Sequence, residues 1–180
     1  MQIKKLRYIL LILLFIIFTS NSLFSKTVSI TQLGFIIKKS IPSIKIIAVL
    51  YPVQNKNAII KDAKMAYTIL KKKIVIYDIA KQFEITKKIN RISRYKDVAV
   101  IIMTDKNIFH QKTIKFISGK LLKKGIPLFT NRMNDTKFDA LISMFYKSNK
   151  LEKHLNKLQL QKLNIDFANN FIEKFIIDVE

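Results

Sequence analysis

The chain has 180 residues, 49% of them hydrophobic, with 33 Lys or Arg against 12 Asp or Glu, a formal net charge of +21 at pH 7, and no cysteine. Disulfide-stapled scaffolds, thiolate metal sites and cysteine nucleophiles are therefore excluded, and packing alone must hold the fold. The positive balance points to anionic partners, but Lys outnumbers Arg 29 to 4; Arg is the residue suited to bidentate phosphate and guanine contacts, so no nucleic acid is expected, and drift towards Ile, Lys and Asn is the plainer cause.

Lys4, Lys5 and Arg7 precede the eleven-residue apolar stretch Tyr8–Phe18, and Thr19-Ser20-Asn21-Ser22 follow it. A basic flank, a short apolar run and small residues make an export signal, with cleavage expected between Ser22 and Ser25. At ~1.5 Å per residue such a run falls short of ~30 Å of hydrocarbon, which favours a signal peptide over 1–25 and a periplasmic location over a retained anchor. Residues 1–25 contribute three positive charges and no acid, so 26–180 carry +18 and are expected to form a single α/β domain.

Residues 27–40 are ambiguous and compatible with a short helix, closed by Pro42. Ile44–Leu50 reads as the first strand, ending at Tyr51-Pro52. Asn57 is a candidate cap for a helix whose Ile59, Ala63, Ala66 and Leu70 form one apolar stripe. Ile74–Tyr77 is a second strand, and Ile85, Ile89 and Ile92 mark a second helix. Asp97–Asp105 then encloses six apolar residues, β-branched except for Ala99 and Met103. A run without polar alternation must be covered on both faces, which describes an interior strand of a parallel sheet. Asp105 or Asn107 could cap a third helix carrying Ile114, Ile117 and Leu121 and stopping at Gly125, and Ile126–Thr130 is a fourth strand with Pro127 near its start.

Strands joined by helices of this length pair in parallel through right-handed crossovers, so the expectation is a small doubly wound sheet of flavodoxin or Rossmann-like order. The tail adds a hairpin, Ala140–Tyr146 and Leu151–Leu155 around Ser148-Asn149, then a short helix Leu158–Leu163 stopped by Asn164. A last helix is expected from Asp166, with Phe167, Phe171 and Phe175 at steps of four.

Ligands of open parallel sheets sit outside the carboxyl ends of the strands. Those ends supply Tyr51, Gln54, Asn55, Thr104, Asp105, Thr130, Asn131 and Arg132, of which Tyr51, Asn55, Thr104, Asp105, Thr130, Asn131 and Arg132 are the candidate ligand-binding set. Polar loops that merely cap helices would look the same. With three glycines in the chain and none in 51–57, no glycine-rich phosphate cradle exists, so no dinucleotide or other cofactor is expected. His110 and His154 have no neighbour at metal-ligand spacing, and no nucleophile elbow is present, so no metal and no enzymatic activity are expected. Phe171 and Phe175 are candidate partner-binding residues, against the plainer alternative that the phenylalanine stripe packs the terminal helix onto its own sheet.

The tail also carries a likeness. Asp139-Ala-Leu-Ile-Ser-Met-Phe-Tyr-Lys-Ser-Asn-Lys-Leu-Glu-Lys-His-Leu-Asn156, followed by Leu160-Gln-Lys-Leu-Asn-Ile-Asp-Phe and Phe171-Ile172, resembles the closing segment of the YfiR-like (YfiR/HmsC-like) periplasmic proteins. In that family the segment is a strand, a turn, a strand ending in an Ile-Asn pair, a helix, a tight glycine turn and a short helix. Leu155-Asn156 would take the place of the pair and Asn164 that of the glycine. The likeness spans roughly 44–175; the family's cysteines are absent, and the region before Ile44 is shorter than the family's long opening helix. It implies a non-enzymatic regulator, dimeric in many members, that restrains an inner-membrane diguanylate cyclase and so cyclic-di-GMP signalling. The partner would be that inner-membrane sensor or cyclase, with a homodimer as a further expectation.

Two other readings follow from the residues. One is a small-molecule binding domain akin to one lobe of an ABC-transporter solute-binding protein. The other is a basic module for anionic lipid or cell-wall polymer.

Overall fold

The structure, a computed structural model, describes residues 27–105, 107–165, 167 and 169–179. The expected signal peptide over 1–25 and the Asp166 cap lie outside the described residues. Seven strands, β1 (Ile46–Pro52), β2 (Lys73–Ile79), β3 (Val98–Ile102), β4 (Leu128–Thr130), β5 (Ile142–Lys147), β6 (Lys150–Asn156) and β7 (Ile176–Val179), form one sheet in the order β2-β1-β3-β4-β5-β6-β7. Neighbours run parallel from β2 to β5, β5 and β6 are antiparallel, and β6 and β7 are parallel. The first five positions are the flavodoxin-type order of a doubly wound α/β sheet, as expected.

The helices are α1 (Ile30–Ser40), α2 (Lys56–Leu70), α3 (Glu84–Ile92), α4 (Gln111–Leu122), α5 (Lys157–Lys162) and α6 (Asn169–Ile172), with 3₁₀ turns at Val53–Asn55 and Asp135–Phe138. Side chains alternate across a strand, so the apolar run of β3 feeds two cores. Ala99 and Ile101 join Ile47, Val49 and Phe129 beneath α1 and α2, while Val98, Val100 and Ile102 join Ala48, Leu50 and Leu128 beneath α3 and α4. The stripe Ile59, Ala63, Ala66 and Leu70 is the buried face of α2, as its spacing requires. Each large member of such a stripe contributes ~1.5–3 kcal/mol on burial.

The ambiguous opening stretch is helical because it carries a capping box. Ser29 Oγ accepts from Gln32 N at 3.1 Å, and Gln32 Oε1 accepts from Ser29 N at 3.0 Å. Asp62 of α2 fixes the same turn by accepting from Ile30 N at 2.6 Å. At Gly34 a Cβ would overlap the Leu70 side chain, so α1 lies against α2 at glycine distance.

Three local expectations are corrected. Asn57 is not a cap: the 3₁₀ turn Val53–Asn55 runs straight into α2, which begins at Lys56 with Asn55 before it and no side-chain cap bond. Neither Asp105 nor Asn107 caps α4. Asp105 Oδ1 instead closes a turn of its own, accepting from Ile108 N at 2.8 Å and Phe109 N at 3.1 Å, and His110 takes the cap position. Phe167, Phe171 and Phe175 do not share one helix. α6 is four residues long, Phe175 N bonds back to Ile172 O, and the chain turns into β7, which pairs with the otherwise open edge of β6.

The hairpin forms at the expected turn, with Ser148 and Asn149 at φ 47° and 62°. Both faces of β5 are covered: Ile142 and Met144 lie in the α1 and α2 core, and Ser143 and Phe145 are buried on the other side.

Candidate functional site at the carboxyl edge of the sheet

β1 passes to α2 on one face and β3, its neighbour, passes to α4 on the other, so the loops after β1 and β3 diverge. This is the switch point where a doubly wound sheet opens a crevice. Asn55 stands exposed on the first lip. Tyr51 does not: it is 2% exposed, in the core beneath α1 and α2, and its Cα partner across the ladder is Asp78. Burial pushes the Tyr51 phenol above its ordinary pKa, and the Asp78 carboxylate adds to the shift.

The second lip is tied to the end of β4. Asn131 Oδ1 accepts from both Thr104 N and Thr104 Oγ1 at 2.7 Å. The Asn131 amide nitrogen has no hydrogen-bond acceptor among the described residues, which leaves a donor for a ligand. Arg132 is committed elsewhere. Its Nε donates to Asp135 Oδ1 at 2.9 Å, its Nη2 lies 2.8 Å from the same oxygen, and its Nη1 donates to the Asp105 carbonyl at 3.3 Å. It staples two loops rather than presenting a free guanidinium. Thr130 is fully buried below this edge. The structure therefore brings Thr104, Asp105, Asn131 and Arg132 into one network, sets Asn55 on the opposite lip, and withdraws Tyr51 and Thr130 into the interior.

Asp135 was not singled out by the sequence. It is fully buried, and burial raises its carboxyl pKa, opposed by the Arg132 guanidinium and more weakly by the Thr130 hydroxyl. Beyond it, Thr130, Ser143 and His154 occupy one row across β4, β5 and β6. His154 Nδ1 lies 2.7 Å from the Asp178 carboxylate and Nε2 lies 3.1 Å from Glu152, while Thr136 Oγ1 donates to Asp178. Both ring nitrogens are thus engaged by acids, and Ser143 Oγ has no hydrogen-bond partner among the described residues, so the row is not a nucleophile–base pair. Among the described residues no group of three or more His, Cys, Asp or Glu is placed to hold a metal.

A second polar group lies between the amino ends of α3 and α4. Gln82 Nε2 approaches His110 Nε2 at 2.7 Å and donates to Thr113 Oγ1 beside a cleft of about 440 Å³ walled by Phe83 and Phe116. Its residues are 28 and 31 positions apart, which is why no spacing rule exposed it.

The candidate partner residues are placed inward. Phe175 is 8% exposed and Phe171 packs against the same core, their ring centroids 5.3 Å apart, with Phe167 completing the cluster at 6.0 and 6.5 Å. These rings seal the tail onto the sheet, so Phe175 is not available for docking.

No family model and no curated protein match this chain. Solved structures share its fold. A conserved domain protein from Vibrio cholerae superposes with a TM-score of 0.73 at 15% identity, over 84% of this chain and 61% of that one. The ligand-free, open structure of a substrate binding protein with adhesive properties from Clostridium difficile gives 0.71 at 16% identity, over 84% and 60%. The ABC domain in complex with L-Trp from Streptococcus pneumonia gives 0.70 at 13% identity, over 82% and 59%. The chain spans about 60% of the length of these structures, and at such identities the likeness is one of fold.

Proposed function

We propose that this chain is a non-catalytic binding module, one lobe of a solute-binding fold, which holds a small polar organic solute at the carboxyl edge of its parallel strands. The observation that carries the reading is the diverging switch point between β1 and β3, with exposed Asn55 on one lip and the unengaged Asn131 amide donor on the other. The fold it shares with a substrate binding protein and with a domain complexed to L-Trp supports the same reading. Thermal denaturation against panels of amino acids and sugars tests it. A solute at 100 times its Kd stabilises by ~2.7 kcal/mol, roughly 5–10 °C in a chain of this size. Asn55→Ala should remove most of that shift without changing the unliganded Tm. A panel with no shift, or a shift that survives Asn55→Ala and Asn131→Ala, would defeat the reading.

A second reading is a periplasmic regulator similar to the YfiR-like proteins, acting on an inner-membrane sensor or cyclase. The tail supports it: β5, a turn, β6 ending at Leu155-Asn156, α5, a turn at Asn164 with φ 50°, and α6 follow the order that the family shows. Co-purification from detergent-solubilised inner membranes separates the two readings. Recovery of a protein with a diguanylate cyclase domain favours the regulator; recovery of transporter subunits favours the solute-binding lobe.

A further inference from the structure

The outer surface of α3 and α4 combines one sign of charge with protruding aromatic rings. Lys87, Arg91 and Arg94 lie along α3 and its end, and Lys112, Lys115, Lys120, Lys123 and Lys124 along α4 and its end, around clefts that share Phe83, Phe116, Thr86 and Asn90. No acidic residue lines these clefts, and none of the eight cations is in an ion pair among the described residues. Of the acids beside α3, Glu84 is turned to the backbone, accepting from Ala80 N at 3.0 Å, and Asp78 is paired with Lys88 at 3.4 Å. Phe83 is 76% exposed and Phe116 46% exposed on this same surface, with Lys120 Nζ 5.3 Å from the Phe116 ring centroid.

From this arrangement we infer that the α3–α4 face docks on an anionic lipid bilayer, with the lysines in the headgroup layer and Phe83 and Phe116 inserted at its apolar boundary. Cations clustered on one face without acids among them create a local positive potential that attracts an anionic surface, while bulky rings left in water beside them gain by entering an interface. Six of the eight cations are lysines, point charges suited to the diffuse potential of a membrane. The inference goes beyond solute binding, which concerns the carboxyl edge of the sheet and does not depend on it.

Sedimentation with vesicles of phosphatidylcholine alone, and with phosphatidylglycerol added, tests the proposal on residues 26–180, which carry the seven strands, and on the full chain. Binding is expected only to the anionic vesicles and to fall steeply as salt rises. Lys115→Gln, Lys120→Gln and Lys123→Gln together should weaken it by about 100-fold, taking each lysine as worth roughly fivefold. The matched triple variant Lys61→Gln, Lys64→Gln and Lys71→Gln, on and just after α2 on the opposite face, should weaken it far less. Phe83→Ser with Phe116→Ser should lower affinity while leaving the salt dependence in place. Equal losses for the two lysine triples would assign the binding to net charge and overturn the docking face. So would equal binding to neutral vesicles, no binding to anionic ones, or a single-stranded oligonucleotide that displaces the vesicles completely. Circular dichroism of each variant confirms that a loss is not unfolding.

Discussion

One oxygen of Asn131 accepts two hydrogen bonds from Thr104, 27 positions earlier, and so fastens the end of β3 to the end of β4. The strand ends of a parallel sheet are where the ladder stops and backbone donors lose their partners; here a side chain supplies the acceptor that the ladder no longer provides.

Removing that oxygen has a definite cost. Asn131→Ala leaves the Thr104 N–H without its partner and is expected to lower stability by about 1–2 kcal/mol, whereas Thr104→Val keeps the backbone bond and costs less than about 1 kcal/mol. In the Asn131→Ala background, Thr104→Val should cost almost nothing further. Urea denaturation of the two single variants and the double variant reads this directly, and strictly additive losses would show that the two residues are not coupled.

Asp135 predicts an unusual acid response. Its folded carboxyl pKa is raised by burial despite Arg132, so the folded state takes up its proton at a higher pH than the unfolded chain does. Its contribution to stability is therefore complete below the unfolded pKa and is lost as pH rises through the folded value. Wild type should gain on Asp135→Asn when unfolding is compared at pH 7 and then within the carboxylate range. A difference between the two proteins that stays constant with pH would refute the raised value.

Asn156 joins three elements from within the core. Its Oδ1 accepts from Gln159 N at 2.9 Å to cap α5, and its Nδ2 donates to Thr136 O at 2.8 Å. Asn156→Ala should cost about 2–3 kcal/mol, a lost cap plus an unpaired buried carbonyl, and Asn156→Ser should recover roughly half by restoring the cap. Equal destabilisation by Ala and Ser would mean that the cap contributes nothing.

At the alkaline end, the Tyr77 phenol is pushed from 10.0 up to about 12, first by burial and then by its hydroxyl contact with Tyr95 at 3.3 Å. The unfolded chain ionises this phenol earlier, so stability is lost as pH climbs from the ordinary tyrosine range towards the folded value. Tyr77→Phe should flatten that decline, and Tyr95→Phe should move the last phenolate transition, followed by ultraviolet absorbance, to lower pH. An unchanged titration in Tyr95→Phe would exclude the contact as a cause.

Elements with their own periodicity were legible. The unbroken β-branched run of β3, the stripe on α2, the Ser148-Asn149 turn and the left-handed Asn164 each rest on residues close in sequence, whose sterics act without reference to the rest of the chain. The Phe167–Phe171–Phe175 spacing shows how such reading fails. Steps of four satisfy a helix, yet the open edge of β6 draws the chain after Ile172 into a strand, and the rings meet as a cluster instead.

The candidate site was half visible for the same reason. That the strand ends would gather Thr104, Asp105, Asn131 and Arg132 follows from sheet topology, which the alternation of strands and helices already dictates. Which of them keep a free polar group depends on partners that sequence distance hides. Arg132 is taken by a buried Asp135, Tyr51 points into the core beneath α1 and α2, and His154 is held by Asp178, 24 positions away.

The sequence by itself determined the doubly wound sheet, because burial of apolar periodicity has one economical solution for alternating strands and helices. Only the tertiary structure decided which polar side chains face solvent and which are spent on one another, because desolvation and hydrogen bonding act across space between residues that the chain places far apart.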